Sequence, residues 1–457
     1  PEAREALATT LIELNDLNEA QRHFEKILSV AASGDHLGQS YLRIAAVLGR
    51  QQQRAAALEV MQVLTRLHPE SPEGQFALAH VAVRAGDLDS ALSAIDRSLT
   101  LRPGWEEAGL FKVRILVSRK DERVLTAFYE QFLDDYPRAR ELRLNYARHL
   151  VESKQWGKAR EQFKRVAADN HSEGDALFAA GLLAMQAEEF DEADRYLRLT
   201  LEQQRDNDQA RLYLGQIAEK RRRYDEALRW YREIGGGGIY FEAQVRIGLT
   251  IAHQGDLAAA RDHLARLQPE NENQIVQLAL SEEQILRDAR QYREAFEALG
   301  QALARLPDNP DLLYARALAA ERIDRVEVAE ADLRRILKND PKNANALNAL
   351  GYTLADRTAR YPEALALLEQ ALVLKPDDPY IMDSMGWVQY RLGNYPEALR
   401  YLRAALEKRN DAEISAHLGE VLWMMGDHAG AESVWKRALQ DTPDNESLLG
   451  VIRKFKP

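Results

Sequence analysis

Few side chains in this sequence have the type and spacing that covalent chemistry needs. The chain has no cysteine and ten histidines, which excludes disulfides, thiolate nucleophiles and cysteine-bound metals. It contains no phosphate-binding loop, no zinc-protease helix motif, no nucleophile elbow and no calcium loop. His253 and His263 fall in different predicted helices, without acidic residues at ligand spacing. We therefore predict no catalytic residue, no cofactor and no metal site.

A group of aromatic, amide and acidic side chains toward the C-terminus is better suited to binding than to catalysis. Aromatic rings supply contact area at a low entropic cost, and amides can pair with an extended backbone. The candidates are Tyr314, Asn345, Asn348, Tyr352, Tyr380, Asp383, Trp387, Tyr390 and Trp423. We predict that they line one concave groove for a peptide segment. The alternative is that Trp387 and Trp423 pack between helices.

The composition indicates that helices must position these side chains. The 457 residues are 46% hydrophobic and 29% charged, and the abundant residues are those that lose least on entering a helix. No apolar run approaches the length of a membrane span. The net charge of −11 argues against a general nucleic-acid binder, which needs a basic face. The sequence therefore predicts an all-α fold and no nucleic-acid partner.

A repeat of about 34 residues runs through the whole chain. Its marker is an apolar residue of the second helix of each unit, alanine in twelve of thirteen units. The markers are Ala20, Ala57, Ala91, Leu125, Ala159, Ala193, Ala227, Ala260, Ala295, Ala329, Ala364, Ala398 and Ala431. Twelve residues before each marker, or thirteen in the unit around Gly351, stands a Gly or Ala, with Val113 and Glu283 as the exceptions. This pattern predicts about thirteen helical hairpins.

The spacing has a physical cause in the packing of two short helices. A small residue at the crossing lets two helices of about twelve to fourteen residues approach closely, and each hairpin buries its apolar face on the next. Seven prolines stand twelve residues after their markers, where the second helix must stop. They are Pro69, Pro103, Pro137, Pro307, Pro341, Pro376 and Pro443. We expect an α-α superhelical solenoid that ends in a capping helix over residues 445–457.

Three segments depart from the regular repeat. Glycines occupy all of residues 235–238, and they are either a flexible joint or a tolerant surface turn. As a joint they divide the chain into arrays at 1–234 and 239–444. The basic run from Lys220 to Arg223 is interpreted as a solvated turn rather than a phosphate or acidic-partner site. A longer loop is expected around Ser33, Gly34 and Asp35.

The repeat resembles the tetratricopeptide repeat family. Two units show its pattern: Gly386 with Ala398 and Leu402, and Gly419 with Ala431 and Trp435. Over residues 345–443 the likeness is more specific. Segments 346–358, 378–394 and 416–423 resemble a group of Gram-negative tetratricopeptide lipoproteins, in particular the lipoprotein partners of periplasmic carboxy-terminal processing proteases.

This resemblance implies a non-catalytic adaptor. It implies a periplasmic protein that is held at the outer membrane only by a lipid anchor upstream of Pro1, assembles with the protease and promotes degradation of hydrolases that cut peptidoglycan cross-links. A second hypothesis is a periplasmic scaffold of a polysaccharide-export or secretion machine. A third is a hydrolase or transferase on a helical scaffold, which turnover by the purified chain alone would support.

Overall fold

Helices separated by short turns account for almost all of the structure, a computed structural model that describes residues 2–14, 16–31, 35–50, 54–167 and 174–456. The side chains of Glu2 and Asp35 are outside this description, and so are Ser33 and Gly34 of the expected longer loop. Contacts divide the chain into two compact units, Pro1–Leu214 and Gly215–Pro457. The described residues form 27 helices, which are thirteen hairpins and one closing helix, as the repeat predicts.

The first unit contains six hairpins and the start of the seventh. Its helices are α1 (Glu2–Glu13), α2 (Leu17–Val30), α3 (Asp35–Leu48), α4 (Arg54–Leu67), α5 (Pro72–Ala85), α6 (Leu88–Leu101), α7 (Glu106–Arg119), α8 (Glu122–Asp135), α9 (Arg140–Glu152), α10 (Trp156–Ala167), α11 (Gly174–Gln186), α12 (Phe190–Gln203) and α13 (Asp208–Lys220). The boundary between the units falls within α13.

The second unit contains the remaining hairpins and the closing helix. Its helices are α14 (Tyr224–Arg232), α15 (Tyr240–His253), α16 (Leu257–Ala265), α17 (Glu272–Asp288), α18 (Tyr292–Arg305), α19 (Pro310–Arg322), α20 (Val326–Asn339), α21 (Ala344–Arg357), α22 (Tyr361–Leu374), α23 (Pro379–Arg391), α24 (Tyr395–Lys408), α25 (Ala412–Met424), α26 (His428–Asp441) and α27 (Glu446–Phe455). Each hairpin from α17 onward packs against the next one, and α27 packs on α25.

The marker residues lie at the helix crossings. All thirteen are at most 2% exposed. The small residue of the first helix faces a large residue four positions after the marker: a Cβ on Gly386 would lie 2.5 Å from Leu402 Cγ and 3.1 Å from the carbonyl oxygen of Ala398. Because the backbones approach this closely, only a very small side chain fits, and the predicted reason for the repeat spacing is confirmed.

In ten of the hairpins whose turn the structure describes, one turn residue has a left-handed backbone conformation. It stands five residues before the marker, and φ there is between 56° and 96° at six non-glycine and four glycine positions. Arg222, in the basic run, is one of them, and residues 221–223 of that run form the predicted turn between α13 and α14, directly after Lys220 at the end of α13. In the hairpin of α21 and α22, the first helix instead continues for six residues after Gly351, one more than the five by which α23 continues after Gly386, which explains the longer spacing between Gly351 and Ala364.

The ends of the second helices also follow the sequence. Each of the seven repeat prolines stands two residues after the last residue of its helix, because a proline cannot continue the hydrogen-bond ladder. Two second helices are shorter than predicted, with nine residues in α14 and nine in α16. The glycines at 235–238 follow α14 closely, and Pro269 follows α16 three positions earlier in the repeat than the other prolines. The role of the glycines as a joint stays a prediction.

Candidate functional site

A concavity of about 860 Å³ lies in the second unit, on the inner faces of the first helices α19, α21 and α23. It is lined by six of the nine predicted residues. They are Tyr314, Asn345, Asn348, Tyr352, Tyr380 and Asp383. Leu280 of α17 and Ser447 of α27 also contribute to its walls. The volume is within the range of about 300–1,000 Å³ that ligand pockets have.

A second concavity of about 710 Å³ shares Tyr352 with the first. Trp387 and Tyr390 line it together with residues of α25 and α27. The Tyr390 hydroxyl donates to Glu420 Oε1 at 3.1 Å, and the Lys454 ammonium of α27 donates to the same oxygen at 2.8 Å. The closing helix therefore forms part of the wall of this second concavity.

Trp423, unlike the other eight predicted residues, lines neither concavity. Its ring centroid is 5.7 Å from that of Trp435, 5.8 Å from that of Phe455 and 4.1 Å from that of His428. In the last hairpin, α27 takes the place of a following first helix and covers this position. Trp423 therefore packs between helices, which is the alternative to its lining the groove. Trp387 is also buried, although it lines the second concavity.

An ion pair joins α23 and α25 between the two concavities. His417 Nδ1 lies 3.0 Å from both carboxylate oxygens of Asp383, and both side chains are buried. The Trp387 ring stacks on the imidazole, with centroids 4.2 Å apart. The Tyr352 hydroxyl lies 3.5 Å from His417 Nε2. The side chains of these four residues, each of which lines one of the two concavities, thus form one connected cluster.

The protonation of His417 depends on its charged neighbours. Burial alone would lower its pKa. The charge of Asp383 and the hydrogen bond to it, followed by the charges of Glu413 and Asp356, raise the pKa of His417 to about 9. The imidazole is therefore protonated near neutral pH, and both of its nitrogens donate hydrogen bonds.

The remaining predicted residues have distinct surroundings. Lys375 donates to Asn345 Oδ1 at 2.9 Å, and the Arg409 guanidinium lies 5.1 Å from the Tyr380 ring centroid. The Asn348 Oδ1 atom is buried and accepts no hydrogen bond from any described residue. An unsatisfied buried acceptor costs about 1–3 kcal/mol, which a donor supplied by a ligand would offset.

Several acidic residues of the groove were not among the predicted ones. Glu321, Asp356 and Glu413 line the first concavity. The inner positions of the repeat, which are expected to face the concave side, are six and three residues before the small residue of the first helix and one, four and five after it. Glu321, Asp356 and Glu413 stand four after, five after and six before the small residue of their units. The register therefore could have identified them. His417 stands two residues before the small residue, and nothing in the register indicates that it faces Asp383.

The described residues contain neither a candidate metal site nor a candidate membrane span. Among them, no group of three or more His, Asp or Glu side chains could hold a metal ion. None of the helices in this part of the chain is both long and apolar enough to cross a membrane.

The comparisons with known proteins agree with the repeat. The family model described as tetratricopeptide repeat matches residues 42–104, 178–237, 284–343, 314–379 and 384–446, together more than half of the chain. The TPR repeat-containing protein PA4667 of Pseudomonas aeruginosa is 41% identical over 213 residues, which are 47% of this chain and 36% of that protein. Bacteriophage adsorption protein A of Escherichia coli K12 is 33% identical over 93 residues, 20% of this chain and 9% of that protein. The chain thus spans about a third or less of these relatives.

Two solved structures are similar in part. Yeast Tom70 has a TM-score of 0.45 at 15% identity, and the match covers 92% of this chain and 95% of Tom70. TTC0263, a TPR protein of Thermus thermophilus, has a TM-score of 0.36 at 22% identity, with 40% of this chain and 98% of that protein covered. Because the family model matches most of the repeats that the structure forms, this chain belongs to the tetratricopeptide repeat family.

Proposed function

We propose that this chain is a non-catalytic adaptor that binds an extended protein segment in the groove, meaning the two connected concavities of the second unit. The observation that supports it is the common lining of tyrosines and asparagines from α19, α21 and α23. Arrays of this family are protein-binding scaffolds whose repeats create extended concave surfaces. Rigid rings and amides at such a surface provide contact area and backbone hydrogen bonds at low entropic cost.

A more specific proposal concerns the partner. The likeness of segments 346–358, 378–394 and 416–423 to the lipoprotein partners of carboxy-terminal processing proteases supports a periplasmic adaptor held at the outer membrane by a lipid anchor. Its partner is then such a protease, and the clients are hydrolases of peptidoglycan cross-links. An adaptor that holds both partners raises their effective concentration without new chemistry.

The test is a cleavage assay with purified components. A carboxy-terminal processing protease and a cross-link hydrolase from the same genome are combined with and without this chain. We expect the chain to accelerate cleavage at least tenfold and to produce no cleavage alone. Unchanged cleavage, together with no complex between the chain and a protease that lacks its nucleophile, would reject the protease partnership.

The groove is tested in the same assay by paired substitutions. Tyr314→Ala with Tyr380→Ala removes two rings from the lining. The control is Tyr240→Ala, since Tyr240 is 42% exposed, close to the 46% of Tyr380, and lines neither concavity. We expect the double substitution to abolish most of the acceleration and the control to retain it. Equal acceleration by both variants would place the binding surface elsewhere.

A further inference from the structure

Carboxylates from four successive first helices surround one tyrosine in the groove. Tyr352 is flanked by acidic side chains that line the same concavity: Glu321 of α19, Asp356 of α21, Asp383 of α23 and Glu413 of α25. Besides burial, these four charges raise the pKa of the Tyr352 hydroxyl. Tyr314 and Tyr390 have other charged neighbours, with only Glu321 of these four acting on Tyr314 and none of them on Tyr390.

Two of the four carboxylates already have donors. Asp383 is paired with His417. Asp356 accepts from the Trp387 indole at 3.2 Å, and an Arg391 nitrogen lies 3.8 Å from the same oxygen.

The other two carboxylates are available to a ligand. No described residue donates a hydrogen bond to the side chain of Glu321 or Glu413, although the guanidiniums of Arg322 and Arg357 line the same concavity. The lining as a whole includes six carboxylates and three guanidiniums. The groove therefore has an excess of negative charge beside an aromatic surface.

Burial disfavours the ionised form of one of these acids, Glu321. Burial, and after it the charge of Asp356, raise the pKa of Glu321 to about 7, against the opposing effect of Arg357 and Arg322. A cation beside Glu321 would favour its ionised form. The acids do not form a metal site, because no described group of three acidic or histidine side chains could hold an ion.

We propose that the groove binds its partner through a lysine or arginine side chain that lies against Tyr352, between Glu321, Asp356 and Glu413. The tyrosine ring attracts a cation over its face, and the carboxylates accept its hydrogen bonds. This occupant follows from charge complementarity, which disfavours an acidic segment or a terminal carboxylate at the same place. The inference rests on the proposed function of the groove and adds the chemistry of the segment bound there.

The probe is a random library of twelve-residue peptides selected on the immobilised full chain. We expect the selected peptides to share one lysine or arginine. The affinity of a selected peptide is then compared with that of its Lys→Gln or Arg→Gln version, by fluorescence anisotropy. We expect this change to weaken binding to the wild-type chain about tenfold, or about 1.4 kcal/mol.

The chain is varied in parallel. The groove variant combines Glu321→Gln, Asp356→Asn and Glu413→Gln. The charge-matched control combines Glu327→Gln, Glu369→Gln and Glu407→Gln, at exposed positions of second helices. Lys→Gln or Arg→Gln in the peptide should weaken its binding to the control chain about tenfold, and its binding to the groove variant less than twofold. If the triple variant does not fold, Glu321→Gln alone replaces it. In that variant, the loss of affinity on Lys→Gln or Arg→Gln in the peptide should be at most half of the loss measured with the control.

The outcomes separate this inference from the proposed function. Selected peptides without a basic residue that still lose affinity on Tyr314→Ala with Tyr380→Ala would overturn the inference and leave the groove as the binding surface. The same follows if the Lys→Gln effect persists in the groove variant. Peptides that bind the double variant, Tyr314→Ala with Tyr380→Ala, as tightly as wild type would instead reject the groove.

Discussion

His417 Nδ1 lies 3.0 Å from both carboxylate oxygens of Asp383, and this ion pair joins two successive first helices beneath the groove. Each partner is less than 10% exposed, so neither is solvated if the other is removed. The pair is therefore expected to hold α23 and α25 in the arrangement that forms the lining.

Breaking this pair should destabilise the end of the array. We expect His417→Gln to cost roughly 3–5 kcal/mol, because it leaves a buried carboxylate without its counterion. Asp383→Asn should have a similar effect, and the double variant should cost less than the sum of the two. Amide hydrogen exchange of α23 and α25 measures the loss of stability of these two helices in each variant. Additive single effects would show that the two groups do not interact.

The contribution of the pair should depend on pH. The folded pKa of His417 is about 9, above the value of about 6.5 for the unfolded chain. The folded state thus binds the proton more tightly, so the stabilisation is complete below pH 6.5 and is lost as the pH rises through 9. The difference in Tm between wild type and His417→Gln should shrink over this range. A constant or growing difference would contradict the assignment.

Glu321 should act in the opposite way, as a destabilising group. Its folded pKa is about 7, raised from 4.5 by burial and then by the charge of Asp356. Between pH 4.5 and about 7, Glu321 is ionised in the unfolded chain but still protonated in the folded one. The free energy of unfolding therefore falls as the pH rises through this range. Glu321→Gln should therefore leave Tm nearly unchanged at pH 4.5 and raise it above pH 7.5. A lower Tm at pH 8 would show that the carboxylate is stabilised in the fold.

The crossing of α23 and α24 allows a direct test of the claim that the two helices of a hairpin approach closely. Gly386→Ala should destabilise the chain by about 1–3 kcal/mol, because its Cβ would lie 2.5 Å from Leu402 Cγ. The control is Gly300→Ala in α18, where no atom beyond the adjacent residues and the local helix backbone lies within 4 Å of the added Cβ. Alanine is the better helix former by up to about 1 kcal/mol, so the control should be stabilised. Equal melting curves for both variants would reject the close crossing.

The repeat could be predicted from the sequence because each unit repeats the same local constraint. An alanine such as Ala398 and a Gly or Ala about twelve positions earlier occur together in eleven of the thirteen units, so many copies reinforce one pattern. Proline positions likewise fix where the second helices end. These features depend on spacing within one hairpin, and for that reason the sequence alone was sufficient to predict them.

The candidate site could be predicted only in part. Inner positions of the register include eight residues that line the groove, but Trp423 occupies such a position in the last hairpin, where α27 covers it. His417 was missed because the equivalent positions of the three preceding units are Ala315, Ala349 and Ser384. Its partner lies on the neighbouring helix, and a pairing between units is not visible in a pattern read along one unit.

The most direct measurement is the dissociation constant for a carboxy-terminal processing protease that lacks its nucleophile. It is determined for the wild-type chain, for Tyr314→Ala with Tyr380→Ala, and for the exposed-tyrosine control Tyr240→Ala. We predict that the double variant weakens binding at least tenfold while its circular dichroism still shows the folded helical chain, and that the control weakens it less than twofold. Equal dissociation constants for all three proteins would contradict binding through the groove.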